Sequence, residues 1–253
     1  MKLSVVIIAK NAQDFITDAI ISVKHIADEI IVIDNESADK TKTIAEKEGA
    51  KVFPVRTLSF AELRNVGLEK AKGEWILYID SDERVTKELA VSIKECIIRE
   101  ENKFSAYKLK RKNFYFGAYA WPTIEKLERL FKRNTLRQWY GTLHESPIVD
   151  GELSEINGFL LHYTHRDLTQ MLEKTIEWSK TEAELRVKAG HPAMKWWRFP
   201  RVMLTAFFDS YVKQGGWKVG TPGFIEAMYQ AYSMFITYAR LWEMQQGKPT
   251  GRV

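Results

Sequence analysis

The first hundred residues alternate short apolar runs with helical patterns, and this alternation constrains the fold more than any other feature. Four runs have the length of a β-strand, at residues 3–8, 29–33, 51–55 and 75–79. The segments between them, and residues 87–99 after the last, carry apolar residues at helical spacing. Strands that alternate with helices of this length predict a parallel sheet with right-handed crossovers. The runs are continuously apolar, as expected for strands covered on both faces. We therefore predict an α/β fold with a mostly parallel sheet and flanking helices.

The rest of the chain predicts a different organisation. Residues 106–112 and 128–132 read as strands, and residues 141–147 read as a loop. From residue 167 onward the pattern is helical and rich in aromatic residues, with predicted helices at 168–189, 194–212 and 224–245. We predict one domain at residues 1–166 and a helical extension at residues 167–253.

Composition narrows the functional classes. The 253 residues include one cysteine and carry a formal net charge of +5. A single cysteine excludes an intramolecular disulfide and fits a reducing compartment. The positive charge permits affinity for phosphates, nucleic acid or an anionic membrane. We expect no signal peptide, since the first apolar run is short, and no membrane span, which needs roughly eighteen apolar residues.

Acidic residues follow directly after two of the predicted strands. Asp80, Ser81 and Asp82 come after the fourth strand, and Asp34 comes after the second. Ligands of open α/β sheets gather at the carboxyl ends of strands. Carboxylates at this edge can hold a hard divalent cation shared with a phosphorylated substrate. The alternative is an acidic turn that caps the next helix.

Glycine-rich phosphate loops are absent from the sequence. It contains no Gly-x-Gly-x-x-Gly pattern and no Walker loop. Neither a dinucleotide-binding fold nor a P-loop is therefore indicated.

Four segments in sequence resemble glycosyltransferase family 2, whose members are inverting enzymes with the GT-A fold. They are Ala9-Lys10-Asn11, then Asp34 with Ser37, Asp39 and Thr41, then Arg64-Asn65-Val66-Gly67, and then Asp80-Ser81-Asp82-Glu83. Later segments resemble the subgroup of lipopolysaccharide-core β-1,4-glucosyltransferases. These segments are Arg129-Leu130-Phe131-Lys132-Arg133, Gly141-Thr142-Leu143-His144-Glu145, Leu160-Leu161-His162-Tyr163 and residues 213–220.

The resemblance implies roles for individual residues. Asp34 and Arg64 would contact the base of a nucleoside diphosphate sugar, and Asp80 would hold the ribose. Asp82 would bind Mn²⁺ or Mg²⁺. The full set of nucleotide-sugar-binding candidates is Ala9, Asn11, Asp34, Arg64, Asp80, Ser81, Arg129 and Arg133.

Glu145 is the candidate for the general base that inversion requires on the acceptor side. The alternative is a salt-bridged loop carboxylate. His162 is a candidate third metal ligand, although a histidine beside Leu160 and Leu161 also suits a core.

Arg129 and Arg133 suit a phosphate clamp, since the guanidinium fork matches phosphate oxygens. Solvation at a strand edge is the alternative. Glu36 stands where the family has glycine, which leaves the local backbone geometry open because glycine tolerates positive φ and glutamate does not.

The segment 180–220 carries eight Lys and Arg residues and three acidic residues, interleaved with aromatic residues. This composition favours a helix in the membrane interface, with lipid attraction of about 1 kcal/mol per basic residue. Stacking on single-stranded nucleic acid and packing against the first domain are the alternatives.

Together these features lead to one hypothesis. The chain would be a metal-dependent inverting hexosyltransferase that moves glucose from a UDP-sugar to a hydroxyl of a membrane-associated glycolipid, such as a lipopolysaccharide core, or of an oligosaccharide. We expect it in the cytoplasm, peripheral on the inner face of the cytoplasmic membrane, without a nucleic-acid partner. Exposed aromatics would serve a homo-oligomer equally well. The alternatives are a nucleotidyltransferase, or a nucleic-acid- or membrane-binding module whose carboxylates only cap helices.

Overall fold

A computed structural model describes residues 2–57, 59–99, 103–141 and 145–247. The chain divides into two compact units. The first comprises Met1–Lys112 and Ile124–His162, and the second comprises Asn113–Thr123 and Tyr163–Val253. The sequence predicts a single boundary between residues 166 and 167. In the structure, the second unit begins at Tyr163 and also includes Asn113–Thr123, which the sequence prediction assigns to the first domain.

The elements up to residue 163 alternate as the sequence pattern predicts, with additional strands after α4. In chain order they are β1 (Leu3–Ala9), α1 (Ile16–Lys24), β2 (Glu29–Asp34), α2 (Thr41–Lys47), β3 (Lys51–Pro54), α3 (Phe60–Lys70), β4 (Trp75–Asp80), β5 (Glu83–Val85), α4 (Lys87–Ile98), β6 (Phe104–Tyr115), β7 (Tyr119–Lys132), β8 (Leu136–Tyr140), β9 (Ser146–Val149) and β10 (Glu152–Tyr163).

Eight of these strands form one mixed sheet among the described residues, in the order β3-β2-β1-β4-β7-β6-β10-β5. The first four strands pair in parallel, as predicted. β7 runs antiparallel to β4, and β10 runs antiparallel to β5. Every residue of β1 and β2 is buried. Side chains from the two faces of β1 pack into two separate apolar clusters, so both faces of the sheet are covered.

The register aligns the carboxyl ends of the central strands. Ala9 pairs with Asp34 across β1 and β2, and Ile8 pairs with Asp80 across β1 and β4. The loops that follow these three strands therefore begin at one edge of the sheet.

Several element boundaries differ from the sequence prediction. α1 begins at Ile16 rather than residue 12, because Asn11 has a positive φ of 49° and the following residues form a turn on the Ala12 carbonyl. β6 and β7 extend well beyond the predicted 106–112 and 128–132, and β10 was not predicted. In the predicted 141–147 loop, Ser146–Val149 is a strand, and residues 142–144 lie outside the described residues.

The second unit is mostly helical. Its main elements are α5 (Leu168–Lys188), α6 (Arg198–Phe208), a π-helical turn at Asp209–Lys213, a 3-10 turn at Gly216–Val219, and α7 (Thr221–Gln245). α6 starts at Arg198 rather than at the predicted residue 194. The backbone before α6 is held by a hydrogen bond outside the helix, since the Met194 N–H donates to Gln245 Oε1 at 2.8 Å. Within the described residues, no helix has both the length and the apolar character needed to cross a membrane.

Candidate active site

The loops after β1 and β2 are joined by side-chain hydrogen bonds. Asp34 is buried at the end of β2 and accepts a hydrogen bond from Ser37 Oγ at 2.5 Å. Asn11 donates its N–H to Ser37 Oγ at 2.9 Å and accepts from the Ala38 N–H through Oδ1. Ala9 is buried, and its carbonyl accepts from the Asn35 N–H. The predicted residues Ala9, Asn11 and Asp34 thus lie together beside the end of β1.

Asp80 lies between two buried arginines at the end of β4. Arg64 Nη2 is 3.0 Å from Asp80 Oδ1, and Arg129 Nη2 is 3.1 Å from Asp80 Oδ2. Arg64 is 1% exposed and Arg129 is 6% exposed, so solvation at the surface is not the role of either. The Arg64 side chain is 5.0 Å from the Trp139 ring centre, a cation–π distance.

The charges around Asp80 determine its ionisation. Burial acts to raise the pKa of this carboxyl, but the Arg129 and Arg64 guanidinium groups outweigh burial and hold the pKa well below its usual range. Asp80 is therefore ionised at neutral pH, and both of its carboxylate oxygens act only as hydrogen-bond acceptors.

Glu145 joins the same cluster from a distant part of the chain. Its Oε1 accepts a hydrogen bond from Arg64 Nε at 2.8 Å, and Arg129 Nη1 is 3.9 Å away. The ion pair that we considered as the alternative to a catalytic role is therefore present. Glu145 and Asp80 both bind Arg64, so Glu145 lies next to Asp80. Glu145 can therefore form this ion pair and still lie close enough to the site for a catalytic role.

A chain of buried charges supports the turn after β4, and sequence reasoning missed most of it. Glu83 is fully buried and accepts from the Asp80 N–H at 2.9 Å and from Arg111 Nη1 at 3.1 Å. Arg111 Nε donates to Glu125 at 2.8 Å. The one signal in the sequence was that Glu83 directly follows Asp82. Arg111 and Glu125 lie on β6 and β7, far from Glu83 in sequence, so no local pattern connects them.

Asp82 and His162 lie side by side. Asp82 Oδ2 is 3.4 Å from His162 Nε2, because β10 pairs with β5 and places His162 opposite Glu83. Burial acts to lower the pKa of His162, but the Asp82 carboxylate outweighs burial and raises the pKa. A carboxylate oxygen and an imidazole nitrogen form a donor pair that suits Mn²⁺ and other divalent ions.

The cluster brings several carboxylates together. Asp80, Asp82, Glu83, Glu125 and Glu145 lie there with the guanidinium groups of Arg64, Arg111 and Arg129. In the described part of the chain, no group of three or more His, Cys, Asp or Glu residues has a geometry that could hold a metal ion. A cation here would therefore take its remaining ligands from substrate or water.

Arg133 is not part of this cluster, contrary to the phosphate-clamp prediction. Its N–H donates to the Glu74 carbonyl at 2.8 Å, before the start of β4, whereas Asp80 ends that strand. Arg129 and Arg133 are four residues apart on an extended chain, which separates them by about 13 Å. Arg133 instead lines a separate cavity of about 400 Å³. Ser81 stays at the site edge, and its N–H donates to the Ile8 carbonyl.

Glu36 adopts the backbone conformation that glycine would favour. Its φ is 50°, in the left-handed region. Its carboxylate is 3.4 Å from Arg56 Nε, and both side chains are exposed. The chain therefore keeps the turn after β2 that a glycine would allow.

Comparisons with known proteins identify relatives along nearly the whole chain. Residues 4–148 match the family model described as glycosyl transferase family 2. An uncharacterised glycosyltransferase of Rickettsia typhi is 30% identical over 96% of this chain and 87% of its own length. The lipopolysaccharide core biosynthesis glycosyltransferase LpsC of Rhizobium meliloti is 26% identical over 96% of this chain and 93% of its own.

A solved structure is similar in fold. Residues 1–349 of Staphylococcus aureus TarS, in complex with UDP-GlcNAc, superpose with a TM-score of 0.51 and 16% identity, covering 98% of this chain and 93% of that one. The mixed, mostly parallel sheet with flanking helices is the GT-A fold, as predicted.

Proposed function

The chain belongs to glycosyl transferase family 2, and from this premise we propose that it is a metal-dependent, inverting hexosyltransferase. The donor would be a UDP-sugar, with glucose as the hexose. The acceptor would be a hydroxyl group of a membrane-associated glycolipid such as a lipopolysaccharide core. The family membership favours sugar transfer over the alternatives of nucleotidyl transfer and a non-enzymatic binding module.

One observation carries the proposal: Asp80 and Glu145 meet at the buried Arg64, at the carboxyl edge of the parallel strands. Two residues beyond Asp80, Asp82 is paired with His162. This edge is where open α/β sheets bind ligands. A divalent cation at this edge would offset the repulsion between these carboxylates and the diphosphate of the donor. The TarS structure is a complex with UDP-GlcNAc, and this supports a UDP-sugar as the donor of the present chain.

Each residue has a defined task in the proposed reaction. Asp80, ionised and held by Arg64 and Arg129, accepts hydrogen bonds from the ribose hydroxyls. Asp82 and His162 hold Mn²⁺ or Mg²⁺. When bound, the divalent ion neutralises charge that develops on the leaving diphosphate.

Glu145 acts on the acceptor. It takes the proton from the acceptor hydroxyl as the oxygen bonds to the anomeric carbon, and the bond from that carbon to the diphosphate oxygen breaks. Attack from the face opposite the leaving group inverts the configuration, and no enzyme nucleophile is needed. Arg64 is a positioning residue, because it holds Glu145 and Asp80 with one guanidinium group.

The second unit supports a membrane-associated acceptor. Its described surface exposes large apolar side chains, with Trp196 at 81% exposure and Leu204 at 68%. Lys195 and Arg201 are exposed close to them in sequence. Aromatic and basic side chains together suit the interface of an anionic membrane. The name of the relative LpsC agrees with a lipopolysaccharide-core acceptor. The proposed location is the inner face of the cytoplasmic membrane.

The direct test is nucleotide release from a panel of UDP-, GDP- and dTDP-sugars, with Mn²⁺, with Mg²⁺ and with chelator. We expect release from UDP-glucose that depends on the metal and falls by at least about 10²-fold in Asp82→Asn. Asp150→Asn is the matched control, since Asp150 is an exposed carboxylate paired with Arg137. Release that is equal with chelator would contradict the proposal, and so would the absence of release together with no calorimetric binding of any nucleotide sugar.

The role of Glu145 needs a separate measurement. In Glu145→Gln we expect acceptor-dependent transfer to fall by about 10²- to 10⁴-fold while UDP still binds, because the amide cannot accept the proton. If UDP binding fell in parallel with transfer, the carboxylate would be structural, and its ion pair with Arg64 would be its whole function.

A further inference from the structure

A cleft of about 680 Å³ lies within the second unit, between α6 and α7. From α6 it is lined by Arg198, Arg201 and Thr205, and from α7 by Glu226, Gln230 and Tyr238, among others. Positions three, four, seven or eight apart share one face of a helix. Each helix therefore turns one face to the cleft, on which polar side chains alternate with the apolar Val202, Ala206 and Met234.

Arginines mark one part of the cleft. Arg198 Nη1 donates to the Pro192 and Ala193 carbonyls at 3.0 Å each, which fixes the guanidinium group and leaves its other N–H groups for a ligand. The Arg201 side chain makes no hydrogen bond or ion pair with any residue that the structure describes. Two guanidinium groups three residues apart on one helix suit the oxygens of a phosphate group.

The other part of the cleft is built for hydroxyl groups. Glu226 is 1% exposed, lies 3.0 Å from His165 Nδ1, and accepts from Gln230 Nε2 at 2.7 Å. This fixes the Gln230 amide and leaves its carbonyl oxygen as an acceptor. Tyr115 and Tyr238 also line the cleft, and aromatic side chains of this kind suit contact with sugar rings. The volume is in the range of small-ligand pockets.

We propose that this cleft binds a phosphorylated saccharide, with its phosphate at Arg198 and Arg201 and its hydroxyls toward Gln230. The inference rests on the proposed function, because this saccharide is the phosphate-bearing part of the glycolipid acceptor. It adds the class of acceptor: a sugar that already carries a phosphate group, supplied by a saccharide kinase or phosphotransferase reaction.

The test is calorimetric binding of deacylated lipopolysaccharide core to the full chain. The probe is used as isolated and after phosphatase treatment, and inorganic phosphate and phosphatidylglycerol vesicles are measured separately. We expect the untreated saccharide to bind, and both phosphatase treatment and Arg201→Gln to weaken binding by about tenfold or more. The exposed Arg201 makes no fold-supporting contact, so this variant should keep the wild-type thermal midpoint.

Lys188→Gln is the matched control, because it removes one exposed positive charge from the end of α5, outside the cleft. It should bind like the wild type. Equal weakening in both variants would overturn the inference, and so would unchanged binding after phosphatase treatment. Binding of inorganic phosphate as tight as that of the saccharide, or an Arg201 effect seen with vesicles alone, would overturn it as well.

UDP release from the donor without acceptor, measured on the same preparations, separates this inference from the proposed function. Normal release without saccharide binding would overturn the cleft assignment alone. Saccharide binding that depends on Arg201, without any donor turnover, would support the cleft and contradict the transferase.

Discussion

At the residue scale, the site depends on one side chain that contacts two carboxylates. Arg64 is 1% exposed and donates to Asp80 and Glu145, which are 16 and 81 residues away in sequence. A planar guanidinium group can bond to two acceptors in fixed directions, whereas an ammonium group is a point charge. The geometry of the two carboxylates therefore depends on the shape of this side chain as well as on its charge.

Arg64→Lys should separate these two properties. We expect turnover to fall by about 10²-fold, because the lysine keeps the charge but cannot hold both carboxylates in place. Arg64→Met, which also removes the charge, should lower the free energy of unfolding by about 3 kcal/mol or more. Denaturant unfolding and UDP release measure the two effects, with the exposed Arg137→Lys as control. Full activity in Arg64→Lys would show that charge alone matters.

Glu29 provides a pH-dependent test away from the site. Its side chain is 3% exposed and accepts from Ser4 Oγ, the Lys72 N–H and Lys51 Nζ at 2.7, 2.7 and 3.0 Å. Burial acts to raise the pKa of Glu29, but the Ser4 and Lys72 hydrogen bonds outweigh it, and the pKa is lowered. A lowered folded-state pKa stabilises the fold above the ordinary value of 4.5, and this contribution is lost as the pH falls through the folded-state value.

Glu29→Gln should therefore lower the thermal midpoint at pH 7, and its difference from wild type should shrink between about pH 5 and about pH 3. Thermal scans across this range measure it, with the exposed Glu46→Gln as control. A difference that stays constant down to pH 3 would mean that the Glu29 carboxylate does not contribute through its charge.

At the scale of elements, periodicity predicted the parallel half of the sheet. β1, β2, β3 and β4 were placed to within a residue at each end, because continuous apolar runs bounded by polar residues have few alternative interpretations. The carboxyl-edge position of Asp34 and Asp80 followed from the same pattern.

The second half of the sheet was harder to predict, for a physical reason. β6, β7 and β10 contain charged residues such as Arg111, Glu125 and Arg129, which break the apolar pattern. Arg129 is buried, and Arg111 is mostly buried, in ion pairs with partners that only the fold brings together. Arg111 and Glu125 are the members of this network that the sequence did not reveal.

Gly67 tests the packing of α3 on the sheet. A Cβ at this position would lie 2.4 Å from Val6 Cγ1, inside the core. We expect Gly67→Ala to destabilise the fold by about 1–3 kcal/mol through overpacking. Val6→Ala removes the obstructing methyl group, so the double variant should be more stable than the sum of the two single effects predicts. Additive free energies of unfolding would show that α3 shifts to relieve the contact.

At the scale of the whole molecule, the two units pose separate questions. The first carries the charged cluster, and the second carries the polar cleft and much of the exposed aromatic surface. The sequence predicted a basic and aromatic C-terminal region, but it did not predict the cleft, because one face of α6 and one face of α7 form it only when the two helices face each other.

The exposed surface of the second unit predicts membrane binding. In flotation with phosphatidylglycerol vesicles, we expect the chain to rise with the lipid at low salt and to be released at high salt, since screening weakens the basic contribution. Trp196→Ser together with Leu204→Ser should reduce flotation, whereas Tyr140→Ser, exposed in the first unit, should not. A wild-type protein that stays at the bottom of the gradient at low salt would contradict membrane association.

The central claim is that the carboxyl edge around Asp80 and Asp82 binds a nucleotide together with a divalent cation. Calorimetric titration of UDP into the protein, with Mn²⁺ and with chelator, tests it most directly. We predict binding with Mn²⁺ that weakens by at least about tenfold with chelator and in Asp82→Asn, while Asp150→Asn binds like the wild type. If UDP bound as tightly to the wild type in chelator, or to Asp82→Asn with Mn²⁺, as it does to the wild type with Mn²⁺, the account would be contradicted.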